Sequence, residues 1–165
     1  MRTYFENINA DFTCKHCGAV VSTRQGLSGV VNRNHCPYCL HSRHLDLFEA
    51  GDRLSACKAL MAPVGLTLKK SRDKYAKQSG GELMLVHLCS GCERISINRI
   101  AADDDPKKVL EMFEKGLGEM RGFIMRCERE NIHILQTGDR WVVHSRLFGS
   151  DFIERKEEME ILMTI

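Results

Sequence analysis

The 165-residue sequence predicts an α+β fold: a small β-rich module at the front, then a helix and a β-hairpin segment. Three observations predict it. Six of the eight cysteines come in pairs, "CKHC" (Cys14, Cys17), "CPYC" (Cys36, Cys39) and "CSGC" (Cys89, Cys92), all before residue 100. Two apolar stretches, "VGLTLKK" and "GELMLVHLC", read as strands joined by the polar loop "SRDKYAKQSGG", whose Gly80-Gly81 pair suits a turn. Beyond Asp103, Asp104 and Asp105 the apolar residues fall at helical spacing.

The elements follow in order. "FTCKHCG" and "VHLCSGC" look like two copies of one device, a short apolar lead into a tight thiol turn, too short for a duplicated domain. The helix begins at Asp105 as N-cap with Pro106 in its first turn, and its apolar positions are Val109, Leu110, Phe113 and Leu117. "NIHILQTGDRWVVHSRLF" reads as two strands around a Thr-Gly-Asp-Arg turn. The last stretch, "DFIERKEEMEILMTI", reads as a short helix or strand. A boundary near Asp105 divides the chain into residues 1–105 and an acidic α+β segment, 106–165.

No apolar run approaches the roughly 20 residues that span a bilayer. The start, "MRTYFENINADF", lacks a signal-peptide core, so the expected location is the cytoplasm. Cysteines in a reducing compartment are not expected to form disulfides. Charge is uneven. Residues 13–100 hold 13 Lys/Arg and 6 Asp/Glu, giving +7, whereas residues 101–165 hold 10 and 14, giving −4. A basic, cysteine-rich front joined to an acidic back is compatible with nucleic-acid binding, and equally with the two parts docking on each other.

Cys14, Cys17, Cys36 and Cys39 are spaced C-x2-C-x18-C-x2-C, which matches zinc-ribbon spacing. A two-residue gap lets both sulfurs turn towards one point while backbone amides face them. Two such knuckles close a tetrahedron with Zn–S near 2.3 Å, about the usual length. Gly18 follows the first knuckle, where positive φ is often wanted, and Pro37 stiffens the second. Four thiolates would also suit an iron–sulfur cluster, but nothing in the sequence suggests electron transfer.

Cys89 and Cys92 need partners, and Cys57 is the third ligand because it lies in the same basic region and would otherwise be an unpaired thiol. The fourth is a histidine, His44 or His87, with His41 behind them. His44 is favoured because it lies five residues beyond the first site's last ligand and comes from a separate segment. His87 shares a strand face with Cys89, as an alternative ligand or as a hydrogen-bond donor behind the ligands. The module is therefore zinc-ribbon-like, with two zinc ions. Counting thiolate and metal charges, the front falls from +7 to about +4.

"RNHCP", Arg33 to Pro37, is the signature of a small bacterial family, the RNHCP domain. "FTCKHCG", "HCPYCLHSRHLD", "GDRLSACKALMAPVG", "VHLCSGC" and "NRIAADDDP" resemble that family too, in the expected order, over Phe12 to Pro106. The resemblance implies a zinc-binding module whose biochemical role is not established. It supports Cys14, Cys17, Cys36, Cys39, His44, Cys57, His87, Cys89 and Cys92 as family-type positions and leaves the ligand histidine open. His41 looks variable, and Glu93 stands where the family's knuckle often carries glycine.

The expected function is a non-enzymatic zinc module contacting RNA, with ribosomal RNA as one candidate. The contact residues would be Arg24, Arg33, Arg43, Lys69, Lys70, Arg72 and Lys74, most of them in the basic loop from Lys69 to Lys77. Arg33 and Asn34 could instead hydrogen-bond the knuckle loops, and that loop could be merely solvated. Asp103–Asp105 read as a solvated helix start rather than a magnesium site, Cys127 as core, and Trp141 as packing rather than a base-stacking platform. One rival is an adaptor that recruits an acidic protein. Another is a His-Asn-His nuclease using Asn34, His35, His44 and Asp46, although the Asp-His pair leading into a ββα metal core is lacking. No membrane and no small-molecule substrate is expected.

Overall fold

The computed structural model of the chain describes residues 10–69, 81–116 and 121–149. The expectations placed on Lys70, Arg72, Lys74, Lys77, Leu117 and the last fifteen residues lie outside them. Among the described residues no helix is long and apolar enough to cross a membrane.

The front is built from hairpins. β1 (Phe12–Thr13) and β2 (Val20–Val21) form a two-stranded antiparallel ribbon around the first cysteine pair. α1 (Gln25–Ser28) is a single turn. A four-stranded antiparallel sheet follows, in the order β3 (Ser42–Arg43), β4 (Leu60–Lys69), β5 (Glu82–Cys89) and β6 (Ile95–Arg99). The expected hairpin is the β4–β5 pair, in register from Met61 opposite Cys89 to Lys69 opposite Glu82. Pro63 is tolerated in β4 because β3 covers only Leu60 and Met61, and the register shifts between Pro63 and Gly65.

Alternation along β5 sends Leu83 and Leu85 to one face and Val86 and Leu88 to the other. α2 (Pro106–Lys115) and α4 (Arg140–Phe148) supply Val109, Phe113 and Val143 to a core with Leu66, Leu83, Leu85 and Leu40. On the opposite face α3 (Arg121–Arg129) buries Cys127 against Val86, Ile95 and Ile134, so this lone cysteine is core. The sheet is thus covered on both faces. α2 starts as its sequence demands: the Asp105 carboxylate accepts from the Lys107 amide at 2.9 Å, and Pro106 occupies the first turn.

The hairpin expected over Asn131–Phe148 is not formed. Its first half runs along the free edge of β4, where the Leu135 amide donates to the Leu66 carbonyl and Ile134 bridges Thr67. Its second half is α4. The Thr-Gly-Asp-Arg stretch is a helix start rather than a hairpin turn, because the Asp139 carboxylate and Gln136 side chain cap each other's backbone amides. Val142 and Val143 suggested a strand, but burial of Val143 in the shared core outweighs β propensity, and Trp141 is left exposed.

Candidate metal centres

The three cysteine pairs are three copies of one knuckle. In each, the first cysteine's carbonyl accepts from the amide four residues on: Gly18 to Cys14, Leu40 to Cys36 and Glu93 to Cys89. In each, the first cysteine's amide donates to the carbonyl five residues on, in Ala19, His41 and Arg94. The residue after the second cysteine has positive φ every time: Gly18 at 76°, Leu40 at 62° and Glu93 at 59°. The glycine preference expected at Glu93 is therefore conformational. The device legible twice in the sequence, at "CKHC" and "CSGC", recurs a third time at "CPYC".

The first two knuckles face each other. Cys14 Sγ lies 3.6 Å from Cys39 Sγ, and Cys17 Sγ 3.6 Å from Cys36 Sγ, with all four sulfurs within 4.8 Å of one another. Sulfurs about 2.3 Å from a shared tetrahedral centre stand about 3.8 Å apart, whereas a disulfide bond is about 2.05 Å. The arrangement suits a four-coordinate metal ion. Burial opposes the Cys14 thiolate, but the Cys17 and His16 amides and the neighbouring thiols outweigh it and pull the thiol down to about 7. In Cys36 burial prevails over the Cys39 and Tyr38 amides and pushes the thiol up.

The third knuckle is completed from elsewhere. Cys57 Sγ lies 3.6 Å from Cys89 Sγ, and His44 Nδ1 lies 3.2 Å from Cys92 Sγ. His44, Cys57, Cys89 and Cys92 again lie within 4.8 Å of one another. His44 stands at the end of β3, where its amide donates to the Ala59 carbonyl. Burial first, then Arg94 and Lys58, lowers its basicity, with Asp46 opposing. That favours the neutral imidazole a metal needs. Gly91 makes room for Cys57: a Cβ there would meet Ala59 Cβ at 2.8 Å and Cys57 Sγ at 3.1 Å.

His87 is not part of either cluster. It is fully buried, its Nε2 donates to the Leu40 carbonyl at 2.7 Å, and Asn98 Nδ2 lies 2.9 Å from its Nδ1. Burial, with the nearby His35 ring, pulls it down to about 3, so it stays neutral. It ties β5 to the residue after Cys39.

A family model described as the RNHCP domain matches residues 9–110. The chain belongs to the RNHCP family. A search of curated proteins and a search of solved structures each returned no match. The RNHCP signature itself is a buried brace around the second knuckle. Arg33 donates to the His35 carbonyl and pairs with Asp103 at 2.6 Å and Asp104 at 3.1 Å. His35 Nε2 donates to Asp104 at 2.8 Å. Asn34 donates to Asp46 at 2.7 Å and accepts from Arg53. Cys36 is a cluster thiol, and the Pro37 carbonyl accepts from the Asp105 amide at 3.2 Å.

This geometry corrects one expectation. The Arg33 side chain has no exposed surface and cannot reach a phosphate. Its charge is spent on two aspartates some 70 residues away, which no local pattern announces. Asp103 and Asp104 therefore do more than begin a helix. Arg43 is half-buried, with its guanidinium donating to the Lys58 carbonyl, while Arg24 and Lys69 are exposed. The four residues cast in a nuclease role are engaged otherwise: Asn34 and Asp46 with each other, His35 with Asp104, and His44 in the second cluster.

Proposed function

We propose that the chain is a zinc-stabilised recognition module that holds two structural zinc ions and contacts RNA. The observation that carries the zinc reading is the pair of closed four-donor clusters, Cys14/Cys17/Cys36/Cys39 and His44/Cys57/Cys89/Cys92, with sulfurs 3.6 Å apart. Four protein donors leave no open position for a substrate on either ion, which suits scaffolding. The RNA reading rests on the basic balance of residues 13–100 and on Arg24 and Lys69 at the surface, with Lys70, Arg72 and Lys74 continuing the sequence from Lys69. Elemental analysis of protein purified without added metal is expected to return two zinc ions per chain. RNA affinity is expected to fall linearly with salt on logarithmic axes, and joint neutralisation of Lys69, Lys70 and Arg72 to flatten the slope without loss of zinc. Salt-insensitive binding, or full binding by that triple variant, rejects the surface.

A second reading, a protein-interaction adaptor, is favoured by one observation. Val20, Leu27, Val31, Tyr38, Phe48 and Leu54 expose large apolar side chains within residues 20–54. Absence of RNA binding at low salt decides for this reading.

A further inference from the structure

The first cluster carries two imidazoles at its rim that neither zinc site uses. His16 sits inside the first knuckle and His41 just after the second, so the facing knuckles bring the rings together. Their centroids lie 3.5 Å apart with planes 6° from parallel. A face-to-face sandwich is the arrangement ring quadrupoles favour least, so stacking alone is a poor reason for this pairing. Beside them stands Cys39, half-buried where Cys14 and Cys36 are buried. One donor atom from each of His16, Cys39 and His41 lies within 4.8 Å of the others.

We infer that His16, His41 and the Cys39 sulfur form a third metal site, in which Cys39 bridges to the ion of the first cluster. The inference rests on the reading of that cluster as a filled zinc site. Zinc held by four thiolates carries −2, and a bridging thiolate shares that excess negative charge with a second divalent ion. Two neutral imidazoles add no charge, so the pair of ions with four thiolates sums to zero. The tautomer is suitable: His41 Nδ1 lies 3.1 Å from the Cys39 carbonyl and donates to it, which leaves the Nε2 lone pair available. Parallel rings point their lone pairs along parallel lines, so a shared ion requires one ring to turn. His16 is the exposed ring of the two, so it is the one that must turn.

Three donors differ from four. Both zinc clusters are closed, whereas this site keeps a coordination position for water or an anion. It opens on a cavity of about 520 Å³ lined by Tyr38, Lys108, Glu111 and Met112. Two imidazoles and a thiolate suit a borderline divalent ion such as zinc or cobalt. The open position and exposed His16 make this the exchangeable ion of the three.

The test uses the full chain. Zinc content is first measured, excess metal removed, and cobalt(II) titrated in while zinc is followed in the same sample. The expected result is two zinc ions retained and one cobalt taken up, with tetrahedral ligand-field bands and a thiolate charge-transfer band. His16→Ala, at an exposed position, and His16→Ala with His41→Ala should retain both zinc ions and lose the cobalt. No uptake by protein holding two zinc ions overturns the inference. So does equal uptake by the double variant, or cobalt uptake matched by zinc release. Fewer than two zinc ions at the outset refutes the two-zinc reading itself, and the bridging thiolate with it.

Discussion

The two clusters have similar distances between donor atoms and are assembled differently. The first is made of two knuckles, each organised by its own hydrogen bonds, from Gly18 to Cys14 and from Leu40 to Cys36. The second has one knuckle, and its other donors come from the end of β3 and from the segment leading into β4. The first therefore needs only two hairpins to meet. The second exists only once β3, β4 and β5 are in register, with Cys89 opposite Met61 and Arg43 opposite Leu60. Local order sets the first centre, and sheet register sets the second.

The largest expected effect separates them directly. Structural zinc contributes roughly 10–16 kcal/mol in small zinc modules, as much as the whole stability of many domains. Cys36→Ser removes a donor that is also fully buried, and is expected to lose one zinc and the amide protection of residues 12–43. Cys57→Ser, at an exposed position, is expected to lose one zinc while the first cluster keeps its own. Zinc stoichiometry with hydrogen exchange reads both. Loss of both ions from Cys57→Ser would break the comparison, since the centres would then be one cooperative unit.

The next effect tests the brace that links the first cluster to α2. Asp104 is buried and holds Arg33, His35 and the Ala101 amide. Removing one partner of a buried pair costs about 3–5 kcal/mol because it strands the other charge. Asp104→Ala is expected to shift a urea midpoint by that order, with two zinc ions still bound by the folded protein. Asp103→Ala, at a partly exposed carboxylate, is expected to cost well below that. Equal effects would mean that Arg33 relies on charge alone and not on the buried geometry.

Glycine substitutions sharpen the contrast further. Gly18→Ala meets open space but keeps φ at 76°, and is expected to cost about 1 kcal/mol through left-handed strain. Gly91→Ala meets Ala59 Cβ at 2.8 Å and Cys57 Sγ at 3.1 Å, and is expected to cost about 2 kcal/mol by overpacking. Only Gly91→Ala should also weaken the second ion, measured by competition with a chelator. If Gly18→Ala weakens metal binding more, strain and not register governs these sites.

The same contrast explains what could be read from the sequence. Spacing within one knuckle is local, so the first centre was legible from C-x2-C pairs alone, as was α2 from Asp105 and Pro106. His44 is the favoured histidine of the second centre and stands in its cluster, but nothing local excludes His87, which only the sheet places opposite Ser96 and turns to Leu40 and Asn98. Arg33 looked like a phosphate contact because its aspartates are remote in the chain. Val142 and Val143 looked like a strand because the core that buries Val143 is tertiary. Each miss has its partner far away in sequence.

The smallest expected effect lies in the third knuckle. Glu93 and Leu40 both sit in the left-handed region that costs a side-chain-bearing residue about 1–2 kcal/mol. Leu40 is buried in the core with Leu66 and Leu85, so its side chain offsets the strain. Glu93 has no such return. Its carboxylate is 3.7 Å from the Arg126 guanidinium and 80 % exposed, an ion pair of about 0–1 kcal/mol at most. The stronger contact, from Arg126 to the Glu93 carbonyl, belongs to the backbone and survives substitution. Glycine adds about 0.5–1 kcal/mol of unfolded-state entropy to lose. Glu93→Gly is therefore expected to raise stability by about 0.5 kcal/mol in the zinc-loaded protein, read as a small upward shift in urea midpoint. Leu40→Gly at the equivalent knuckle position is expected to lose several times that, about 2–5 kcal/mol, by opening the core. If Glu93→Gly instead destabilises, the pair with Arg126 contributes more than its exposure allows, and the third knuckle is held by α3 rather than by its own turn.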